Sequence, residues 1–318
     1  PFKETQIIES TMFIFLSILG GFLILTVGAE ALVRGASQIA LRLGLTPLII
    51  GLTIVAFGTS APELAVSVKS AIAGNSGIAL GNVIGSNIAN IGLILGITAL
   101  IRPIKIESQM VRRDIPIMIA ASLLFWSLLL DGGLSFWDGA ILFALLVAYL
   151  TFSYFAAEKQ TDDDVEDTKQ NPMLSVLFIV IGISMLVGGG ILFVDGAVAL
   201  AQSFGISEVI IGLTIVAIGT SMPELVTSIV AALKGQSDIA IGNVVGSNLF
   251  NILGILGVTA LIHPISGCEI TTLDWSAMIA FAVILLPFAY TGLRIGRREA
   301  AILVLSYLGY IGYLVAQV

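Results

Sequence analysis

The stretch GLTIVAFGTSAPELAVSV at residues 51–68 occurs a second time as GLTIVAIGTSMPELVTSI at residues 212–229, with thirteen of eighteen positions identical. A second stretch, GNVIGSNIANIGLILG at 81–96, returns as GNVVGSNLFNILGILG at 242–257 after the same shift of 161 residues. Self-similarity at a fixed shift determines the architecture of a chain. We therefore predict two related halves, residues 1–157 and 172–318, joined by a linker at 158–171.

The composition indicates a membrane protein. The chain is 57% hydrophobic and 11% charged, with a mean hydropathy of +1.06, whereas soluble domains have about 45–50% apolar and about 25% charged residues. Ten apolar stretches are long enough to cross a hydrocarbon core of about 30 Å. They lie at 11–33, 45–72, 78–101, 113–130, 136–157, 173–201, 206–233, 239–262, 273–293 and 299–317.

The distribution of basic residues predicts the orientation. With the N-terminus outside, twelve of the fourteen lysines and arginines fall on the cytoplasmic side, as the positive-inside rule requires. Because each half then contains an odd number of spans, the second half enters the membrane from the opposite side. We predict an all-α membrane protein of ten transmembrane helices, built as two inverted five-helix repeats with both termini outside. Inverted repeats with helices interrupted by glycine or proline are typical of secondary transporters.

The linker between the halves is acidic and almost free of apolar residues. This composition favours a solvated cytoplasmic segment. A calcium-sensing role is the alternative, but the segment lacks the glycine and the ligand spacing of an EF-hand loop. Its short length leaves no space for a folded regulatory domain, so we expect a prokaryotic plasma (inner) membrane protein.

The motif GTSAPE at 58–63 places the carboxyl group of Glu63 within an apolar stretch, and Glu224 occupies the equivalent position in the second half. Pro62 and Pro223 interrupt the helices because proline lacks an N–H group. Irregular backbone at membrane depth is tolerated where it is buried in protein or lines an aqueous cavity. Both interruptions are therefore expected to face the inside of the helix bundle.

Hydroxyl and amide side chains recur at helical spacing around the two glutamates. Residues three or four apart share one face of a helix, so the motifs predict a ring of oxygen atoms from four helices. Its side chains are Thr59, Ser60, Glu63, Ser86 and Asn90 in the first half and Thr220, Ser221, Glu224, Ser247 and Asn251 in the second.

Two interpretations of this ring remain open. Serine, threonine and asparagine commonly join helices in membranes by hydrogen bonds, and the glutamates could be neutral members of such contacts. Alternatively, a carboxylate that costs about 2.5–3.5 kcal/mol at the helix centre is retained because it binds an ion. Oxygen donors without histidine or cysteine suit hard cations such as Ca²⁺, and His263 lies at a helix end. Two carboxylates neutralise one divalent ion or are shared by several monovalent ions, which is a chemical basis for antiport.

The doubled GTSxPE motif followed by GNVxGSNxxN resembles the two alpha repeats of the cation/Ca²⁺ exchanger superfamily, in its Na⁺/Ca²⁺ exchanger branch. The resemblance extends over essentially the whole chain and implies exchange of several Na⁺ for one Ca²⁺. It implies that Glu63 and Glu224 bind both ions and that the serines and threonines supply hydroxyl or backbone oxygens. It also implies backbone carbonyl ligands at Ala56 and Ala217, with Asn90 and Asn251 at the remaining positions of the site.

One departure from the family pattern bears on selectivity. The potassium-dependent branch and some prokaryotic members have aspartate at the position of Asn251, whereas this chain has asparagine in both halves. The smaller negative charge argues against K⁺ cotransport. An H⁺/Ca²⁺ antiporter of the same fold remains the alternative, because a buried carboxyl group can bind a proton in place of a cation.

Other functional classes fit less well. An acidic ring also occurs in ion channels, but inverted repeats with paired buried glutamates argue against an open pore. The chain has no HExxH, P-loop or GxSxG motif, so we expect neither an enzyme nor a cofactor. The expected partners are Na⁺ and Ca²⁺ as substrates and the lipid bilayer, with no nucleic acid, and a monomer is expected to be functional.

The resemblance also suggests that the first and sixth helices slide across the other eight. Their sequences at 20–35 and 188–201 are rich in glycine, as a smooth moving surface would be. Ordinary lipid-facing helices would show the same pattern.

Overall fold

A computed structural model describes residues 2–156, 172–204, 217–266 and 270–316. The predicted linker at 158–171 and residues 206–216 of the predicted seventh span lie outside the described residues. The described helices are, in chain order, α1 (Phe2–Leu43), α2 (Pro47–Thr59), α3 (Ala61–Ile72), α4 (Ser76–Ile101), α5 (Met110–Asp131), α6 (Phe136–Phe155), α7 (Pro172–Ser203), α8 (Ala217–Thr220), α9 (Met222–Leu233), α10 (Ser237–Ile262), α11 (Thr272–Leu293) and α12 (Arg297–Ala316).

The described part of the chain contains eight helices that are long and apolar enough to cross a membrane, and the bent pair α2–α3 is a ninth candidate span. Eight of these nine coincide with a predicted apolar stretch to within a few residues, whereas the first helix continues well beyond the predicted end at residue 33, to Leu43. The shorter apolar helix α9 lies in the stretch predicted at 206–233. The prediction of an all-helical membrane protein is therefore confirmed. The number ten stays a prediction, since the seventh stretch is only partly described.

The break between α2 and α3 falls at Ser60, two residues before Pro62. Ser60 has φ −84° and ψ 8°, outside the usual helical range, and the helix axis bends by 47° there. Pro62 lies in the first turn of α3, where the missing N–H removes no helical hydrogen bond. Ser221 has nearly the same backbone angles, φ −90° and ψ 8°, before Pro223 in α9. The repeated motif thus produces the same break in both halves.

Helices α4 and α10 form the centre of the structure. The most apolar windows of these two helices are 72% and 78% buried, against 17–33% in the other long helices. Each widens into a π-helical segment, at Asn90–Leu95 in α4 and at Phe250–Ile255 in α10. Such segments are rare and often accompany functional sites. Both therefore place a predicted site asparagine in irregular helix at the protein centre.

Two short antiparallel strand pairs join the loops and relate the two halves. Strand β1 (Ile104–Lys105) pairs with β4 (Arg294–Ile295), and β2 (Gly133–Leu134) pairs with β3 (Ile265–Ser266). The shift of 161 residues moves β1 onto β3 and β2 onto β4. Exchange of the two halves therefore converts one strand pair into the other, so each half contributes one strand to each pair.

Helices α1 and α7 pack with their backbones close together. Three glycines at intervals of seven residues lie on each helix, and intervals of seven return to the same face after two turns. A Cβ atom built at Gly28 would lie 3.0 Å from the Gly182 carbonyl oxygen, and one at Gly182 would lie 2.8 Å from the Gly28 oxygen. Small residues allow this approach between membrane helices. The six glycines of this contact are Gly21, Gly28, Gly35, Gly182, Gly189 and Gly196.

Candidate functional site

The two glutamates are buried at the helix breaks and are linked across the two halves. Glu63, in the first turn of α3, and Glu224, in the first turn of α9, are each 1% exposed. Ser221 donates a hydrogen bond to Glu63 Oε1 at 3.1 Å, and Ser60 donates to Glu224 Oε1 at 2.9 Å. Each serine therefore serves the carboxyl group of the other repeat, which keeps the two carboxyl groups close to each other.

The central helix α4 is joined to the same cluster through Ser86. The Ser86 hydroxyl lies within hydrogen-bond distance of the Ser221 hydroxyl, at 3.3 Å, and Asn90 follows Ser86 by one helical turn on the same face. Ser247 and Asn251 occupy the equivalent positions on α10 and are also buried. The structure thus brings Ser86 of α4 to the break at Ser221 and buries its counterparts on α10.

Two asparagines that sequence reasoning did not select pair with the predicted ones. Asn90 Nδ2 donates to Asn248 Oδ1 at 3.0 Å, and Asn251 Nδ2 donates to Asn87 Oδ1 at 2.9 Å. The four residues form two amide pairs between α4 and α10. The signal was present in the sequence, because the motif GSN repeats its asparagine in both halves at 87 and 248.

A second pair of unselected asparagines supports the helix breaks. Asn82 Nδ2 donates to the Glu63 carbonyl oxygen at 3.1 Å, and Asn243 Nδ2 donates to the Glu224 carbonyl oxygen at 3.3 Å. The Thr59 hydroxyl approaches Asn243 Oδ1 at 3.1 Å and the Ala56 carbonyl oxygen at 3.3 Å. These contacts hold the backbone at the two glutamates in place.

Five buried side-chain oxygens of the predicted site have no hydrogen-bond partner among the described residues. They are Glu63 Oε2, Asn90 Oδ1, Glu224 Oε2, Ser247 Oγ and Asn251 Oδ1. A buried polar atom without a partner costs about 1–3 kcal/mol. Five such atoms would therefore destabilise a cluster whose only role was to join helices. Helix-joining hydrogen bonds account for only one oxygen of each carboxyl group. The remaining oxygens are an acceptor set suited to a hard cation.

The chemistry of this set is limited to oxygen. Within the described ranges, no group of three or more His, Cys, Asp or Glu side chains that could hold a metal ion is present. A cation here would therefore depend on two carboxyl groups and neutral oxygens, a donor set that disfavours the soft and transition metals bound by cysteine and histidine.

The sequence of the chain matches a known family in both halves. Residues 13–155 and 174–316 each match the profile of the family described as "Sodium/calcium exchanger protein". The chain belongs to this family of ion exchangers. The two matched ranges contain every predicted site residue, and they bracket the segment that we interpret as the linker.

Individual relatives of the exchanger are similar over nearly the whole chain. It is 36% identical to the sodium/calcium exchanger MaX1 of Methanosarcina acetivorans, over 93% of this chain and 97% of the relative. It is 41% identical to the inner membrane protein YrbG of Escherichia coli, over 83% and 85% of the two chains. Among solved structures, the sodium-calcium exchanger NCX_Mj soaked with 10 mM Na⁺ and zero Ca²⁺ superposes with a TM-score of 0.84 at 31% identity, covering 95% and 99% of the two chains.

The remaining predicted residues of the exchanger lie next to the breaks. The Ala56 carbonyl oxygen accepts a hydrogen bond from the Ser60 backbone N–H at 3.0 Å, so one of its lone pairs is occupied. Ala217 and Thr220 are the first and last residues of α8, and Thr220 directly precedes Ser221. Outside the site, His263 caps the C-terminal end of α10 and is exposed, in the position expected for it.

Proposed function

We propose that the exchanger is a secondary active antiporter that moves Na⁺ and Ca²⁺ in opposite directions by alternating access. The supporting observation is the set of five unpartnered oxygens around two carboxyl groups that are linked across the repeats. In this proposal the ions bind to side-chain or backbone oxygens of Ala56, Thr59, Ser60, Glu63, Ser86, Asn90, Ala217, Thr220, Ser221, Glu224, Ser247 and Asn251. The names of MaX1 and NCX_Mj support the choice of Na⁺ and Ca²⁺.

The buried charge explains why transport of the two ions would be coupled. With both glutamates ionised, the empty site carries two buried negative charges, and buried charge is costly unless it is compensated. One Ca²⁺ neutralises both carboxylates, and Na⁺ ions neutralise them when they occupy the same oxygens. The loaded site can therefore change its access from one side to the other more readily than the empty site. Because the oxygens are shared, binding of one ion species displaces the other.

The strand pairs support the proposed topology of ten helices with both termini outside. The loops joined by β1 and β4 carry Arg102, Lys105 and Arg294, whereas residues 131–138 and 263–273, which contain β2 and β3, have no lysine or arginine. The positive-inside rule then assigns the first strand pair to the cytoplasmic side and the second to the outside. We further infer two five-helix halves at 1–157 and 172–318, a cytoplasmic linker at 158–171, the inner membrane of a prokaryote and a functional monomer.

Coupled flux tests the proposed function directly. We expect Ca²⁺ uptake into proteoliposomes loaded with Na⁺ and no uptake after loading with K⁺, with the membrane potential clamped in both cases. Uptake that follows an imposed proton gradient and ignores Na⁺ would instead identify an H⁺/Ca²⁺ antiporter with the same site. Absence of counter-ion-dependent uptake under all three conditions would reject antiport of Ca²⁺.

The variant Asn251→Asp should change ion selectivity more than stability. A carboxylate at this position adds a third negative charge to the cluster and removes the donor that now bonds Asn87. We expect the ratio of the KM values for Na⁺ and Ca²⁺ to change by about tenfold, which corresponds to about 1.4 kcal/mol. The exposed Asn75→Asp variant at the start of α4 is the control for the added charge. An unchanged ratio would remove Asn251 from the proposed ligands.

A further inference from the structure

The two amide pairs between α4 and α10 determine which end of each site asparagine faces its partner. An asparagine side chain has a donor end, Nδ2, and an acceptor end, Oδ1. Asn90 and Asn251 both use the donor end to bond an asparagine of the opposite repeat, at 3.0 Å and 2.9 Å. Their acceptor ends are buried and have no partner among the described residues. The two Oδ1 atoms are thus left available to a cation.

The partner asparagines are held in the complementary orientation. Asn248 is 2% exposed and directs its Nδ2 atom at Met118 Sδ, 3.5 Å away. Asn87 is equally buried and directs its Nδ2 atom at the Asn248 carbonyl oxygen at 3.5 Å and at Met278 Sδ at 4.0 Å. Both donors are therefore turned away from the amide pairs. Each partner consequently presents only its Oδ1 acceptor to the site asparagine.

A reversed amide would be harmful to cation binding. If Asn90 or Asn251 turned by half a revolution about its last side-chain bond, the NH₂ group would replace Oδ1 on the free side. A donor group carries positive partial charge and cannot bind a cation. The reversed amide would also set its own oxygen against the Oδ1 atom of Asn248 or Asn87. The pairing therefore penalises the reversed orientation at both ends of the amide.

We propose that Asn87 and Asn248 are positioning residues that lock the amides of Asn251 and Asn90 with Oδ1 toward the bound ion. This inference rests on the proposed function, because it assigns a role within the same ion site. Neither residue contacts the ion in this proposal. Their effect on binding passes entirely through the asparagine that each one orients, and this separates them from a ligand and from an ordinary packing contact.

The variant Asn248→Leu removes the acceptor while keeping a similar side-chain volume. We expect the KM for Ca²⁺ to rise about tenfold, corresponding to about 1.4 kcal/mol, with the maximum rate within about twofold of the wild type. Asn87→Leu should act in the same way through Asn251.

Asn248→Asp keeps an acceptor oxygen at the same position. Its KM for Ca²⁺ should therefore be no higher than that of the wild type. Ser122→Ala, which removes a buried hydrogen bond to the Met118 carbonyl, is the control and should leave the KM unchanged.

A double-mutant cycle provides the decisive measurement. If Asn248 acts through Asn90, then Asn248→Leu should raise the KM in the wild-type background and have no further effect in the Asn90→Leu background. The double variant is expected to fold, because replacing both partners of a buried hydrogen bond by apolar groups is nearly neutral. Thermal unfolding of each purified variant, with and without Ca²⁺, measures folding and binding separately from transport.

The outcomes separate this inference from the proposed function. Wild-type protein that shows no coupled Na⁺ and Ca²⁺ flux contradicts the proposed function itself. Wild-type exchange combined with an unchanged KM in Asn248→Leu, or with additive effects of Asn248→Leu and Asn90→Leu, overturns the positioning role alone. Loss of effect in the Asn90→Leu background, together with rescue by Asn248→Asp, supports it.

Discussion

Glu63→Gln and Glu224→Gln are each expected to reduce Na⁺-dependent Ca²⁺ uptake by about 100-fold or more while the protein remains folded. Glutamine keeps an oxygen that can accept the hydrogen bond from Ser221 or Ser60, which now binds Oε1 of the glutamate at 3.1 Å or 2.9 Å. It removes one of the two negative charges that would neutralise Ca²⁺. A loss of about 2.7 kcal/mol in ion binding corresponds to a 100-fold effect. Initial uptake rates in proteoliposomes, together with thermal unfolding of the purified variants, measure the two properties separately.

The variant Glu30→Gln is the matched control for the loss of a carboxylate. Glu30 lies on α1, its side chain is 60% exposed, and it forms an ion pair with Lys234 at 2.7 Å. Exposed pairs of this kind contribute about 0–1 kcal/mol to stability, so uptake should stay near the wild-type rate. Normal uptake by either Glu63→Gln or Glu224→Gln would show that transport does not depend on the paired carboxyl groups.

The sequence predicted which polar residues share a helical face, but it did not predict how they pair across the two repeats. Helical spacing predicted that Ser60 and Glu63, three residues apart, share one helical face. In the structure, however, Ser60 bonds Glu224 of the other repeat, and Ser221 bonds Glu63. Spacing along one helix defines a face but contains no information about which face of another helix lies opposite. The exchange of partners depends on how the two halves pack, so it could be seen only in three dimensions.

The supporting asparagines were missed for a related reason. Asn87 and Asn248 immediately follow the selected residues Ser86 and Ser247. Neighbouring residues point in directions about 100° apart on a helix. Asn87 therefore lies off the face that contains Ser86 and Asn90, and a search for ligands on that face alone leaves it out. Because α4 and α10 are largely buried, the adjacent face also contacts protein, and its asparagines bond the selected ones. A one-face criterion is adequate for a helix at the surface and incomplete for a helix at the centre.

The glycine spacing in α1 and α7 was also visible in the sequence, where Gly21, Gly28 and Gly35 recur after the shift of 161 residues. Sequence alone left two interpretations, a smooth moving surface or ordinary lipid-facing helices. In the structure these glycines are at the contact between the two helices. A Cβ atom built at Gly189 would lie 2.9 Å from the Leu25 backbone nitrogen and 3.0 Å from the Gly21 carbonyl oxygen. The side-chain atom Ile24 Cγ2 is equally near at 2.9 Å, but the two backbone atoms cannot move aside as a flexible side chain would.

Gly189→Val is therefore expected to lower the free energy of unfolding by about 2–3 kcal/mol, because side-chain atoms inserted into a close helix contact force the backbones apart. The adjacent Gly188 is exposed, and apart from the backbone of its own helix and its chain neighbours, a Cβ atom built there meets no atom of the described residues within 4 Å. Gly188→Val makes the same chemical change one position away and should alter stability by less than about 0.5 kcal/mol. Thermal unfolding of both purified variants in one detergent measures the difference. Equal stability of the two would contradict backbone contact between α1 and α7 at this point, whereas selective loss in Gly189→Val would show that these helices are held together as one pair.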